Sequence, residues 1–412
     1  MRRVDKVLVV AVMFLGVVVG VAAVGAAWGE AGDAPAAGGG PEPESVADLG
    51  GDLYLGRPIA IENVTAWPVY SRQPADPVGR DFVTLAEAEA RGEAVVREVG
   101  MVERQAPIMP AAQQAASRRR PQLQMNQLAN ANEADDGQYV ERAEPAGRVN
   151  ELVLENRGKR PILVLAGTLV KGGRQDRQVG QDFIVGPGKT VAIDAFCVEH
   201  GRWTATRDGV ATGGVFKSQP TLSTKAVRSA AQFKGDQQAV WDNVAATNSA
   251  AGKAPSSGTL MATIEDGDRE ATARRARIAR ALSEGFATLA RAPHPPVGLA
   301  YAIDGKLREV RSFSHPALFD RLVETLVNTV AIEGDLAQRQ ARASGRPAWA
   351  GTADARQVVA LVRAVAAAPE KRAQTKAGNV NGTRKGAAGW SAECFDGEKA
   401  ARPVTQNVMS AD

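Results

Sequence analysis

Cysteine is almost absent. The 412-residue chain has two, Cys197 and Cys394, and only three histidines, His200, His294 and His315. No CxxC or HExxH pattern occurs, so a zinc centre lacks its minimum ligand set and no metal site is expected. GxSxG is missing as well, which removes the serine-hydrolase elbow. Aromatics make up 5% of the chain, and no basic stripe is interleaved with Phe or Tyr, so a stacking surface for single strands is not expected. A surplus of one charge is also lacking. The 50 basic and 46 acidic side chains leave +4, too small a field to draw the whole molecule to nucleic acid or anionic lipid. Partners have to be argued from local charge, no nucleic-acid partner is expected, and no cofactor is named by any motif.

What is present begins with a hydrophobic lead. Met1-Arg2-Arg3-Val4-Asp5-Lys6 is basic, and residues 7–28 then run without a charge. With no polar face this segment is a poor core helix. It reads as an export signal over residues 1–28, either cut behind Gly25-Ala26-Ala27 or kept as an anchor, since about 20 apolar residues span a bilayer. In both cases the positive end places the remaining chain outside the cytoplasm, periplasmic or extracellular, with membrane contact only through this segment. In an oxidising compartment Cys197 and Cys394 either form a disulfide or serve as small buried side chains.

Residues 29–50 read as a tether, because the Ala, Gly and Pro of 31–43 bury too little surface to order themselves. At 44% hydrophobic the chain can still bury a large core. An α+β domain, an antiparallel-rich sheet with packed helices, is expected over residues 51–333. Thr84-Leu85-Ala86-Glu87 is a capping box opening a short helix, Gly92 ends it, and residues 94–99 form a strand. A polar insert at 103–140 interrupts the domain, and its Ser117-Arg118-Arg119-Arg120-Pro121 run is read as a solvated loop. Helices are expected at 225–248, weakened by Gly235, and at 269–291, with Ile278, Leu282, Phe286 and Leu289 on one face. Asp304-Gly305 supplies the turn of a hairpin, and Phe319, Leu322, Leu326 and Val330 line a further helix. Residues 334–412 read as a C-terminal extension, with a short helix at 358–365, a flexible basic stretch at 371–389 and a last hairpin.

The chemistry-bearing residues lie in two short stretches. Gly186-Pro187-Gly188-Lys189-Thr190 contains a phosphate-loop ending but lacks the first glycine and the following helix, so it reads as a hairpin turn. Gly172-Gly173-Arg174-Gln175-Asp176-Arg177 follows an apolar strand, and Val198-Glu199-His200-Gly201-Arg202-Trp203 follows another. If 162–170, 183–185 and 191–198 form an antiparallel meander, the first and third strands end together, roughly 10 Å apart. Arg174, Arg177 and Arg202 then offer planar donor forks to a small anionic or phosphorylated ligand, with Gln175 beside them. Gly172 and Gly173 let backbone amides approach that ligand, and Trp203 stacks on a ring of it. Glu199 or Asp176 is the candidate general base and His200 the proton shuttle. The plainer alternative is that Arg174 with Asp176 and Arg202 with Glu199 are ion pairs closing the sheet rim, with Trp203 in the core.

These residues also carry a resemblance. Asn156 with Arg160-Pro161, Gly167, the 172–177 stretch, Phe196-Cys197-Val198-Glu199-His200-Gly201-Arg202-Trp203, then Gln238 and Trp241, resemble in order the domain associated with ADP-ribosylglycohydrolases and rhodanese-type phosphatases. The resemblance spans roughly residues 51–330 and implies a connection to ADP-ribose or phosphorylated nucleotides, with no established catalytic residue to carry over. Two functions follow as expectations: an enzyme acting on an ADP-ribose-like or phosphorylated ligand, or a non-catalytic envelope module that binds a partner.

Overall fold

The computed structural model describes residues 43–99, 101–103, 139–141, 150–204, 206–207, 210–212, 214–347, 349 and 351–411. The expected signal segment, the first part of the tether and nearly all of the polar insert lie outside the described residues. Within them the fold is α+β, a large antiparallel sheet joined to a small closed barrel.

The large sheet has ten strands. Its order is Ala47–Gly50, Leu53–Leu55, Val64–Ser71, Gly298–Ile303, Lys306–Phe313, Thr405–Ser410, Gly389–Phe395, Val380–Gly386 and Glu370–Gln374, with Ile59–Ile61 pairing off Val64–Ser71. Alternation sorts the side chains by face. Val64, Ala66, Leu299, Tyr301 and Ile303 point to one side, where Ile278, Leu282 and Phe286 of the helix Arg269–Ala290 and Leu322, Leu326 and Val330 of the helix Pro316–Ala343 meet them. Trp67, Val69, Ala300 and Ala302 point to the other, against Val358, Leu361 and Val365 of the helix Ala355–Ala366. Asp304 and Gly305 make the hairpin turn with φ of 51° and 73°, the left-handed pair that a two-residue loop requires.

The barrel closes through Thr168–Gly172, Arg177–Val179, Thr190–Cys197, Glu151–Asn156, Ala94–Glu98 and Val215–Leu222. Val96, Leu152, Leu154, Val170, Val179, Ile193, Ala195 and Phe216 fill it. The capping box on Thr84 is present, with its hydroxyl accepting from the Glu87 amide and the Glu87 carboxylate accepting from the Thr84 amide.

Several expectations are corrected. Residues 162–170 are not one strand: the chain turns at Gly167, φ 85°, where a Cβ would lie 2.4 Å from Arg228 Cδ. Ile162–Val164 pairs with Phe183–Val185 in a separate three-stranded sheet, while Thr168–Gly172 enters the barrel. The turn at 186–189 exists, but its flanking strands diverge into different sheets and form no hairpin. The helix expected at 225–248 breaks at Gly235, φ 64°, after the π-turn Ala230–Lys234, and restarts at Asp236, whose side chain accepts from the Ala239 amide. The boundary at 333/334 falls inside the helix Pro316–Ala343, and the last four strands belong to the main sheet. The stretch 371–389 is polar yet ordered, supplying the edge strand Glu370–Gln374 and its neighbour Val380–Gly386; Glu370 pairs with Arg372 and Arg384 there. Both cysteines are free and buried. Among the described residues no helix is long and apolar enough to cross a membrane.

Candidate functional site

The two motif stretches meet, though by a different route from a three-strand meander. Arg177 is in register with Cys197 across two neighbouring barrel strands, so the loop before Arg177 and the loop after Cys197 leave the same rim side by side. Alternation then divides the motif. Asp176 and Arg177, adjacent in the chain, point to opposite sides of the barrel wall.

On the outer side lies a closed ion cluster. Asp176 and Glu199 are both fully buried. Arg202 Nε donates to both Glu199 oxygens at 3.1 Å, and Nη2 donates at 2.8 Å. The rest of its fork donates to the carbonyls of Gly173 at 2.8 Å, Thr204 at 2.9 Å and Gly172 at 3.3 Å. Arg207 bonds Asp176 and lies 3.3 Å from Glu199. Thr259 Oγ1 and the Gly172 amide also donate to Asp176, at 2.8 and 3.2 Å, and the Asp176 amide donates to Glu199 at 3.0 Å. Burial works against the charged form of Glu199, but the Arg202 hydrogen bonds and those from Ser257 and the Asp176 amide outweigh it and hold the carboxyl below its ordinary range. Two carboxylates and two guanidiniums neutralise one another, leaving Arg202 no donor to present to a ligand.

On the inner side stands Arg177, 3% exposed. Its Nη1 touches Cys197 Sγ and lies 3.5 Å from Gln175 Oε1, its Nε has no hydrogen-bond partner among the described residues, and its guanidinium carbon sits 5.8 Å from the Trp203 ring centre. Burial pushes the Cys197 thiol up, against the pull of Arg177. Gln175 Nε2 donates to the His200 carbonyl at 3.3 Å. His200 packs edge-on against Trp241 with ring centres 4.5 Å apart, and Trp203 is half exposed. Arg174 pairs not with Asp176 but with Glu98, whose carboxylate also accepts from the Arg174 amide at 2.7 Å.

The glycines have a structural use in the barrel. Gly172 has φ 144°, and a Cβ there would lie 2.1 Å from the Val215 carbonyl oxygen; at Gly173, φ 48°, it would lie 2.2 Å from Phe216 Cζ. They let the neighbouring strand approach. Sequence reasoning missed Arg207, Thr259, Glu98 and Gln237. Gln237 clasps the Cys197 backbone, accepting from its amide and donating to its carbonyl, both at 2.9 Å, whereas Gln238 pairs with Asp242. A glutamine directly after the helix-capping Asp236 was a readable signal for the first of these; Arg207 carried none.

The family model described as the ARG and Rhodanese-Phosphatase-superfamily-associated Protein domain, ARPP-1, matches residues 52–398. The chain belongs to the ARPP-1 family. No curated protein and no solved structure matches it. The ARPP-1 match takes in the barrel and most of the main sheet, so the motif rim is one part of a larger family unit. Among the clefts on the described surface of this ARPP-1 domain are three of about 560, 160 and 600 Å³, and none of these three is lined by the motif residues. Among the described residues no group of three or more His, Cys, Asp or Glu side chains is placed to hold a metal ion.

Proposed function

We propose that this ARPP-1 domain is a non-catalytic binding module acting outside the cytoplasm, and that the motif residues hold its barrel rim in shape. One observation carries the reading: every donor of Arg202 is committed to Glu199 or to backbone carbonyls of the adjoining loops. An anion pocket needs donors that await a ligand, and this guanidinium has none to give. The clamp leaves two large apolar side chains outside, Trp203 at 50% and Val210 at 69% exposure, on the segment that Arg202 and Arg207 tie down. A half-exposed tryptophan suits partner contact. The extracytoplasmic placement rests on the basic start and uncharged run of residues 1–28.

Thermal-shift titration with ADP-ribose, nucleotides and sugar phosphates is expected to leave the melting temperature unchanged. Dose-dependent stabilisation that disappears in Arg177→Ala, or turnover of any of these compounds, overturns the reading in favour of an enzyme. A phosphatase reporter fused after residue 50 is expected to be active only if the segment exports it, and an inactive fusion removes the placement.

A further inference from the structure

The helix Ala355–Ala366 lies against one face of the main sheet and touches its strands from Ala47–Gly50 to Val380–Gly386. Beside the C-terminal half of that helix, where Val362, Arg363 and Ala366 form one side, the 560 Å³ cleft opens. Its wall is apolar, formed by Leu49, Leu53, Val310, Phe313, Val362 and Val408. This volume falls within the range of about 300–1,000 Å³ typical of small-molecule sites, which combine such walls with a few placed polar groups.

Four charged side chains line it, Arg363 and Arg402 together with Asp52 and Glu393. Arg363 and Arg402 line the cleft and are exposed, and neither forms an ion pair with a described carboxylate. Arg402 Nη1 donates to the Pro74 carbonyl, at 3.1 Å. The acidic groups that share the cleft have other partners. Asp52 is bonded by Gln73, and Glu393 accepts from Gln406 Nε2 at 2.8 Å. Burial first, and then neighbouring Glu370, push the Glu393 carboxyl upward, which weakens its opposition to an incoming anion. Arg363 also feels the Asp48 carboxylate, which Arg72 already pairs, so an apolar wall with two exposed guanidiniums outside any ion pair suits a molecule with a greasy body and an anionic end.

We propose that this cleft binds a small amphipathic anion, its hydrocarbon body lying on the Val310–Val408 face and its carboxylate or phosphate head at Arg363 and Arg402. None of the motif residues lines the cleft, so this inference stands or falls independently of the reading above.

The test is titration of the full-length protein with dansyl-labelled undecanoate, followed by fluorescence. Saturation at one probe per chain is expected, with displacement by decanoate or decyl phosphate and at least tenfold weaker displacement by decanol. Whichever of the two anions displaces better identifies the head, fatty acid or lipid phosphate. The double variant Arg363→Glu with Arg402→Glu alters only exposed side chains, and its urea midpoint is expected to match the parent while probe affinity falls at least tenfold. Unchanged affinity in that variant, equal displacement by decanol, or no saturable binding overturns the proposal.

Discussion

Replacing Arg202 by Gln tests whether the motif is a clamp. The substitution removes the charge that faces Glu199 at 2.8 Å, in a place where Glu199 is fully buried. Breaking a buried pair from one side costs about 3–5 kcal/mol, because the remaining charge is left without its partner. Arg207 stays in contact with Glu199 at 3.3 Å and offsets part of that loss, so the lower end, about 3 kcal/mol, is expected at pH 7. The pH dependence has a definite sign. Glu199 titrates below its unfolded value, so its contribution is present above the ordinary Glu range, about 4.3, and fades as pH falls through the lower folded value. Urea unfolding followed by tryptophan fluorescence at pH 7 and again near pH 3 is expected to show the gap between parent and variant shrinking with acid. Glu199→Gln and the double variant complete a cycle whose coupling energy is expected at about 2–3 kcal/mol. A loss below about 1 kcal/mol at pH 7, or a gap that does not depend on pH, refutes the clamp.

Two further predictions follow from single positions. Gly172→Ala places a methyl group against the Val215 carbonyl at a backbone angle that L-residues rarely adopt; a loss of several kcal/mol or failure to accumulate folded protein is expected, and a urea midpoint within error of the parent contradicts the close strand approach. Cys197 and Cys394 are both fully buried and unpaired, so a colorimetric thiol reagent is expected to titrate neither in the folded protein and both after denaturation without reductant.

The fold class and many of its elements were legible in the sequence because they rest on local physics. The capping box on Thr84, the Asp304-Gly305 turn and the apolar faces Ile278-Leu282-Phe286 and Leu322-Leu326-Val330 need no distant partner to be recognised. The closed barrel was not legible, since closure depends on which strands pair, and the turn at Gly167 that divides 162–170 is dictated by Arg228, sixty-one positions later in the chain. The motif stretches were correctly brought together, but their roles were hidden. Whether Arg202 faces a ligand or Glu199 depends on Arg207, Thr259 and the burial they create, and no spacing in the sequence records that. The polarity of 371–389 misled because an edge strand and a loop share the same composition.

The strand Thr405–Ser410 has a consequence for how the molecule assembles. It alone joins Lys306–Phe313 to Gly389–Phe395, and it follows every other strand of the main sheet along the chain. Until it inserts, the hairpin of residues 298–313 on one side and the hairpin of residues 380–395 on the other each keep an unpaired edge. A nick between residues 397 and 404 would leave that insertion to a fragment held by no covalent link to the three strands preceding it, so the sheet would have to close by association of two pieces.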